Sequence, residues 1–232
     1  MYAREVGGEE LSFGVSGKLI RNVLVMYDRQ TDSLWSQLLG EAIKGELQGT
    51  KLEYLPSWHT TWEQWKQMHP NTIALEKGSG SRDPYASYYA STSPGVIGET
   101  IDDDRLQTKE FVIGVELDVG AIAYPFSVLS RTPIINDNVF GLPILVVFDP
   151  ETGSGQVYER QHDAQPLTFI RSLEDPARLV DEETGSSWDA FSGVVVEGPL
   201  SGSALKPVKS TAVFWFGGKD FHPDTLVYTI AE

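Results

Sequence analysis

The residues best equipped for chemistry in this chain are His59, in Trp58-His59-Thr60, and the side chains of Arg82-Asp83-Pro84-Tyr85. A histidine near carboxylates can act as a general base on water. The carboxylates in question are Asp28 and Asp32, in Tyr27-Asp28-Arg29-Gln30-Thr31-Asp32-Ser33-Leu34-Trp35. A cation or Arg82 would stabilise the oxyanion formed when that water attacks a carbonyl. The expected activity is hydrolysis of a small ester or lactone, such as an acyl lactone. His59, Asp28, Asp32, Arg82 and Tyr85 are the catalytic candidates. The competing reading is a non-catalytic module that binds a ligand or a protein through exposed Trp and Tyr. In that reading His59 is simply an exposed or hydrogen-bonded histidine.

Oxygen donors are plentiful: Asp102, Asp103 and Asp104; Asn136, Asp137 and Asn138; Asp181, Glu182 and Glu183. Oxygen-rich sites suit Ca²⁺ or Mg²⁺, and Asp102, Asp104, Asp137 and Asn138 are the candidate ligands. No EF-hand spacing organises them, and the bland alternative is a set of solvated acidic turns. The chain has 4 His and no Cys. Thiol nucleophiles, disulfides, Fe–S clusters and Cys-ligated zinc are excluded, and four scattered histidines argue against a tetrahedral zinc site. There is no Gly-x-Ser-x-Gly, no His-Glu-x-x-His and no Gly-rich phosphate loop, so no organic cofactor is expected. Gly14-Val15-Ser16-Gly17 lacks the strand–turn–helix context of a nucleophilic serine.

What must position these residues is an internal repeat. Asp28, Thr31, Ser33 and Trp35 recur as Asp181, Thr184, Ser186 and Trp188. The same offset pairs Gly40/Gly193, Gly45/Gly198, Trp62/Trp215, His69/His222, Pro70/Pro223 and Thr72/Thr225. Upstream, Tyr2, Arg4, Leu11 and Phe13 match Tyr158, Arg160, Leu167 and Phe169 at an offset three residues longer. A repeat this regular sets the architecture. Residues shared by both copies read as fold: Trp35/Trp188 and Trp62/Trp215 as core, His69/His222 as helix endings. Positions where the copies differ are the better site candidates: His59 against Ala212, Asp32 against Gly185, Arg29 against Glu182.

Gly7-Gly8 and Asp163-Ala164 read as hairpin turns. Leu19–Tyr27 reads as a strand, as do Ala42–Leu47 and Lys51–Leu55. Thr60 with Glu63, or Thr61 with Gln64, fits a capping box for a helix carrying Trp62, Trp65 and Met68 on one face. That helix should stop at His69, before Pro70. Val112–Leu117 and Ala121–Tyr124 form a hairpin, Pro125–Ser130 a short helix, and Ile144–Phe148 a buried strand. Asp149-Pro150-Glu151-Thr152-Gly153 is a turn. Residues 76–110 have no counterpart in the second copy and read either as a solvated linker or as a lid or binding loop. The expected fold is mainly β with a few short helices, a β-rich α+β chain. Its two pseudo-repeated units form sandwich or barrel-like sheets. Residues 1–75 are the first unit, 76–110 the connection and 111–232 the second, fuller unit.

The 232 residues are 41% hydrophobic and 22% charged, enough for a packed core. A net charge of −15 argues against nucleic acid or an anionic membrane as partner, since both need Lys and Arg. No run reaches the ~18 apolar residues of a membrane span. The first residues lack the apolar segment of a signal peptide. The expectation is a soluble chain, cytoplasmic or exported with its signal missing, acting on a small molecule.

Several segments carry a family resemblance. They are Phe13-Gly14-Val15-Ser16-Gly17, Met26-Tyr27-Asp28-Arg29 through Trp35-Ser36-Gln37, and His59-Thr60-Thr61-Trp62. Arg82-Asp83-Pro84-Tyr85, Ala123-Tyr124-Pro125, Asn136-Asp137, Asp181-Glu182-Glu183-Thr184-Gly185 and Pro223-Asp224-Thr225 complete the set. In these the chain resembles bacterial proteins with the DUF3179 domain. The resemblance implies a fold more than an activity. It also implies a further half-unit before the first copy, with a Cys-x-x-Cys stretch this chain does not have. No thiol role carries over. The face left uncovered is expected to be met by a second subunit, giving a homodimer.

Overall fold

The computed structural model describes residues 1–57, 59–75 and 85–230. A hairpin of β1 (Glu5–Val6) and β2 (Glu9–Glu10) opens the chain, turning through left-handed Gly7 and Gly8. The first unit follows as β3 (Phe13–Ile20), β4 (Val23–Asp28), β5 (Leu34–Ser36) and β6 (Glu41–Lys44), an antiparallel sheet in chain order. Leu19–Tyr27 is therefore two strands, not one. Arg21 and Asn22 both take positive φ and fold the chain back in a two-residue turn. Lys51–Leu55 forms isolated bridges, not a strand. Helix α1 (Trp62–Met68) comes next, capped by Thr61, whose hydroxyl accepts the Gln64 N–H at 3.2 Å. It ends at His69, as expected.

After α2 (Ala86–Ala90), strands β7 (Phe111–Leu117) and β8 (Gly120–Pro125) form the expected hairpin, and α3 (Phe126–Leu129) the short helix. Then come β9 (Ile134–Val139), β10 (Leu142–Asp149), β11 (Ser154–Glu159), and a second small hairpin of β12 (Gln161–His162) and β13 (Gln165–Pro166). Within the second unit, the strands that repeat β3–β6 are β14 (Phe169–Arg171), β15 (Arg178–Asp181), β16 (Ser187–Asp189) and β17 (Val195–Glu197). The chain closes with β18 (Lys206–Pro207), β19 (Ser210–Phe214), α4 (Trp215–Phe221) and β20 (Leu226–Val227).

Among the described residues the strands make four four-stranded sheets and two small hairpins, and no sheet closes into a barrel. The pairing is antiparallel except for β20 beside β8. The sheet β18-β11-β10-β9 is the middle layer. Ile144, Val146 and Phe148 pack with Ile113, Val115 and Tyr124 of the β7–β8 hairpin. Leu145, Val147 and Tyr158 pack with Phe169, Leu179 and Trp188 of the second unit. Alternate side chains of β10 thus enter two cores, which is why Ile144–Phe148 is apolar without a break.

The repeat extends into fine detail. The Tyr2 hydroxyl donates to Leu38 O, and the Tyr158 hydroxyl to Phe191 O. The helix ends match too, with His69 N–H bonding Trp65 O and His222 N–H bonding Gly218 O. The helices differ in their seating. α4 buries Trp215, Phe216, Lys219 and Asp220, with Trp215 against Val112 and Ala123. α1 buries none of its residues, and Trp62 is 53% exposed. Trp62, expected in the core, lacks the seat that β7 and β8 provide for Trp215.

Residues 85–110 are strapped down. Tyr88 and Tyr89 pack against Phe214, and Lys109 Nζ lies over the Tyr88 ring. Asn22 Oδ1 accepts the N–H groups of Val96 and Ile97. The buried Asp220 carboxylate accepts those of Thr100 and Ile101, while buried Lys219 pairs with Glu99.

Candidate functional site

The Asp-x-x-Thr-x-Ser stretch is a hairpin turn that closes on its own side chains. Asp28 leaves β4, and its Oδ1 accepts the Thr31 N–H at 2.6 Å. Thr31 Oγ1 meets the same carboxylate and lies 2.7 Å from Ser33 Oγ. The Trp35 indole N–H donates to Asp28 Oδ2 at 2.8 Å, and the ring meets Phe13 edge-on. The second copy repeats every element: Thr184 N–H on Asp181 Oδ1, Trp188 Nε1 on Asp181 Oδ2 at 2.8 Å, Phe169 edge-on to Trp188. Ser33 and Ser186 then accept the N–H groups of Leu47 and Leu200. Gly45 and Gly198 make that close approach feasible: each has positive φ, and a Cβ there would fall 2.7 Å from the serine Cα.

The structure contains this turn a third time. Asp149, Thr152 and Ser154 join β10 to β11 at the same spacing. Thr152 Oγ1 lies 2.7 Å from Asp149 Oδ2, to which it donates, and 2.9 Å from Ser154 Oγ. Gly153 takes the positive φ that Asp32 and Gly185 take in the other copies. Gln156 stands where Trp35 and Trp188 stand. The role of the indole passes to α1: Gln64 Nε2 donates to Asp149 Oδ2 at 2.7 Å, and Gln64 Oε1 accepts from Ser154 Oγ at 2.9 Å and Thr60 Oγ1 at 2.6 Å. A backbone bridge between His59 and Gly155 sets α1 against this turn.

With no indole to fill it, the third turn borders a cleft of about 750 Å³. Its apolar wall includes Phe148, Phe191, Met68 and Pro133, and its polar wall Gln64, Asp149, Ser154, Gln156 and Arg171. Gln156 is only 5% exposed, and among the described residues its Nε2 is the one buried side-chain polar atom without a hydrogen-bond partner. Burial would raise the Asp149 carboxyl. The hydrogen bonds from Thr152, the Glu151 N–H and Gln64 outweigh burial and hold it below the ordinary carboxylate range. Among the described residues Asp149, Glu151 and Asp189 oppose one Arg171, so that lining is net negative. Arg171 is itself turned onto the carbonyls of Pro176 and Phe148.

The residues singled out from sequence are dispersed. His59 is exposed and lines a separate cleft of about 580 Å³ with Tyr2, Arg4, Tyr54 and Ser57. That cleft borders Phe13, Met26 and Leu52, the face of the first unit whose equivalent in the second unit is covered by Leu145 and Val147. Asp28 is fully buried, with both oxygens taken by its own turn. Burial raises its carboxyl, but the bonds from Trp35 and Thr31 prevail and keep it low. Asp32 holds the turn's left-handed position. Its difference from Gly185 is explained by φ, which Asp tolerates. Arg29, the other divergent position, lies over the Tyr27 ring and bonds its hydroxyl. Tyr85 precedes α2 and is exposed, and Arg82 lies outside the described residues.

The four cation candidates are not drawn together. Asp137 accepts from the buried Tyr124 hydroxyl and the Asn138 N–H. Burial, then Asp137, pushes the Tyr124 phenol well up. Asn138, Asp102 and Asp104 are exposed. Among the described residues no group of three or more His, Cys, Asp or Glu could hold an ion. Among the described residues no helix is long and apolar enough to cross a membrane.

The signal for the third turn was present in the sequence. Asp149-x-x-Thr152-x-Ser154 has the spacing of the two copies, but its missing Trp hides it from a search keyed on tryptophan. No curated protein and no solved structure matches the chain. A family model described as a protein of unknown function, DUF3179, matches residues 1–225. With that match covering nearly its whole length, the chain belongs to the DUF3179 family.

Proposed function

We propose that this protein is a small-molecule binding module and that its site is the cleft over the third turn. Gln156 carries the reading. A buried amide without a partner costs about 1–3 kcal/mol, and folded proteins keep few of them. Gln156 lines a cleft of about 750 Å³ beside Asp149, with its orphaned nitrogen sealed behind the cleft wall. Apolar walls with a few convergent polar groups are the usual make-up of a ligand site. The lining supports binding over catalysis. Among the described residues it includes no histidine, and Ser154 Oγ is bonded to Gln64 rather than to a base. A screen of amides, amines, carboxylates and aromatic heterocycles by ligand-observed NMR tests this. Fragments that bind the wild-type protein should bind Gln156→Trp at least about tenfold more weakly, because the indole refills the site. Equal binding to both proteins, or no binding to either, defeats the reading.

A second reading, hydrolysis of a small ester or lactone with help from a divalent cation, rests on His59 lining the other cleft beside Arg4 and Tyr54. It requires turnover that His59→Ala abolishes at unchanged melting temperature. An ester and lactone panel, run with and without a chelator, decides it.

A further inference from the structure

We infer that the cleft takes a flat heteroaromatic ligand with a ring N–H, neutral or cationic, which donates to Asp149 Oδ2 in place of Gln64. This rests on the binding reading above. The protein itself supplies the template twice. In both complete turns the Asp Oδ2 accepts a ring N–H at 2.8 Å, and the ring is met edge-on by a phenylalanine across the strand pair. Those phenylalanines, Phe13 and Phe169, lie opposite Asp28 and Asp181 in register. In the third turn the β9–β10 pairing ends at Ile134 opposite Val147, and the same register run on by two residues places Thr132, not a phenylalanine, opposite Asp149. The indole and its aromatic neighbour are thus both absent, while the acceptor carboxylate and its Thr-Ser support remain.

Three further features fit the same class of ligand. Phe148, Phe191, Met68 and Pro133 offer apolar surface to a ring. Gln156 also lines the cleft, and its buried, unpartnered amide becomes a second contact for a ring nitrogen or carbonyl acceptor once a ligand opens the wall over it. The net negative lining disfavours an anion. Gln64 acts as a built-in competitor: its Nε2 sits 2.7 Å from the same oxygen, on a helix that buries no residue. Displacing it exposes little apolar surface.

Calorimetric titration of the full chain with indole, N-methylindole, tryptamine and indoleacetate tests the inference. Indole and tryptamine should bind. N-methylindole should bind at least about tenfold more weakly than indole, since the charge-assisted hydrogen bond is lost. Indoleacetate should be the weakest. Gln64→Ala should tighten indole about tenfold, and Asp149→Asn should shrink the preference for N–H over N-methyl. Asp149→Asn also disturbs its own turn, so Gln64→Ala with an unchanged melting temperature is the decisive variant. Equal affinity for indole and N-methylindole overturns the inference. The binding reading survives that result if Gln156→Trp still removes the binding. No binding of either indole to wild type or Gln64→Ala also overturns the inference, while the binding reading falls only if the broad fragment screen fails as well.

Discussion

Trp188→Ala is expected to destabilise the protein by about 4 kcal/mol, the range for removing a buried tryptophan. Trp188 is 1% exposed and lies in the core between the second unit and the middle sheet. The substitution opens a cavity, removes the edge-on contact with Phe169, and strips the buried Asp181 carboxylate of its indole donor. A loss of that size is a large fraction of the ~5–15 kcal/mol a domain has in total. Urea unfolding measures it; a loss under about 1 kcal/mol would show that the turn and its indole do not hold the unit together.

Asp220→Ala is expected to cost about 3 kcal/mol and to release the strap from Gly98 to Ile101. The fully buried carboxylate accepts the N–H groups of Thr100 at 2.8 Å and Ile101 at 2.9 Å, both charge-assisted bonds. The neighbouring Lys219 holds Glu99 at 2.6 Å and Asn22 holds Gly98 O, so the variant loosens one clamp of several. If the strap then swings outward, its amides reach water, which keeps the cost below that of two orphaned donors. Urea unfolding reads the stability, and amide exchange at Thr100 and Ile101 reads the strap. Unchanged protection at those two amides contradicts the account.

Much of the fold was legible because its determinants are local. Gly7-Gly8 signals a hairpin through its tolerance of positive φ, and Asp163-Ala164 turns the equivalent hairpin with the same φ although alanine disfavours it. Ile144–Phe148 announces burial on both faces by its unbroken apolar run. What was not legible depends on distant partners. Arg21-Asn22 turns the chain in the middle of an aliphatic stretch, where neither residue type breaks the pattern strongly. Trp62 matches Trp215 in sequence, but only Trp215 has the β7–β8 hairpin to pack on. Gln64 makes only half of the expected capping box, its backbone N–H bonding Thr61, because its side chain reaches instead to Asp149, 85 residues away.

The candidate site shows the same division. Of the places where the two copies disagree, Asp32 against Gly185 is a φ requirement and Arg29 a surface stack. The informative disagreement is Gln156 against Trp35 and Trp188, in a third copy that its own substitution concealed. The repeat turns an Asp-Thr-Ser carboxylate into an acceptor for a ring N–H. Two copies satisfy it from within, and the third borrows Gln64 and leaves a cleft.

The side-chain NH₂ signals of Gln64 and Gln156 test that account most directly, followed by NMR in isotope-labelled protein as tryptamine is added and assigned through Gln64→Ala and Gln156→Leu. Both signals are predicted to shift together and to saturate along one binding curve. Tryptamine that saturates the protein while both signals stay in place would contradict the third turn as the ligand site.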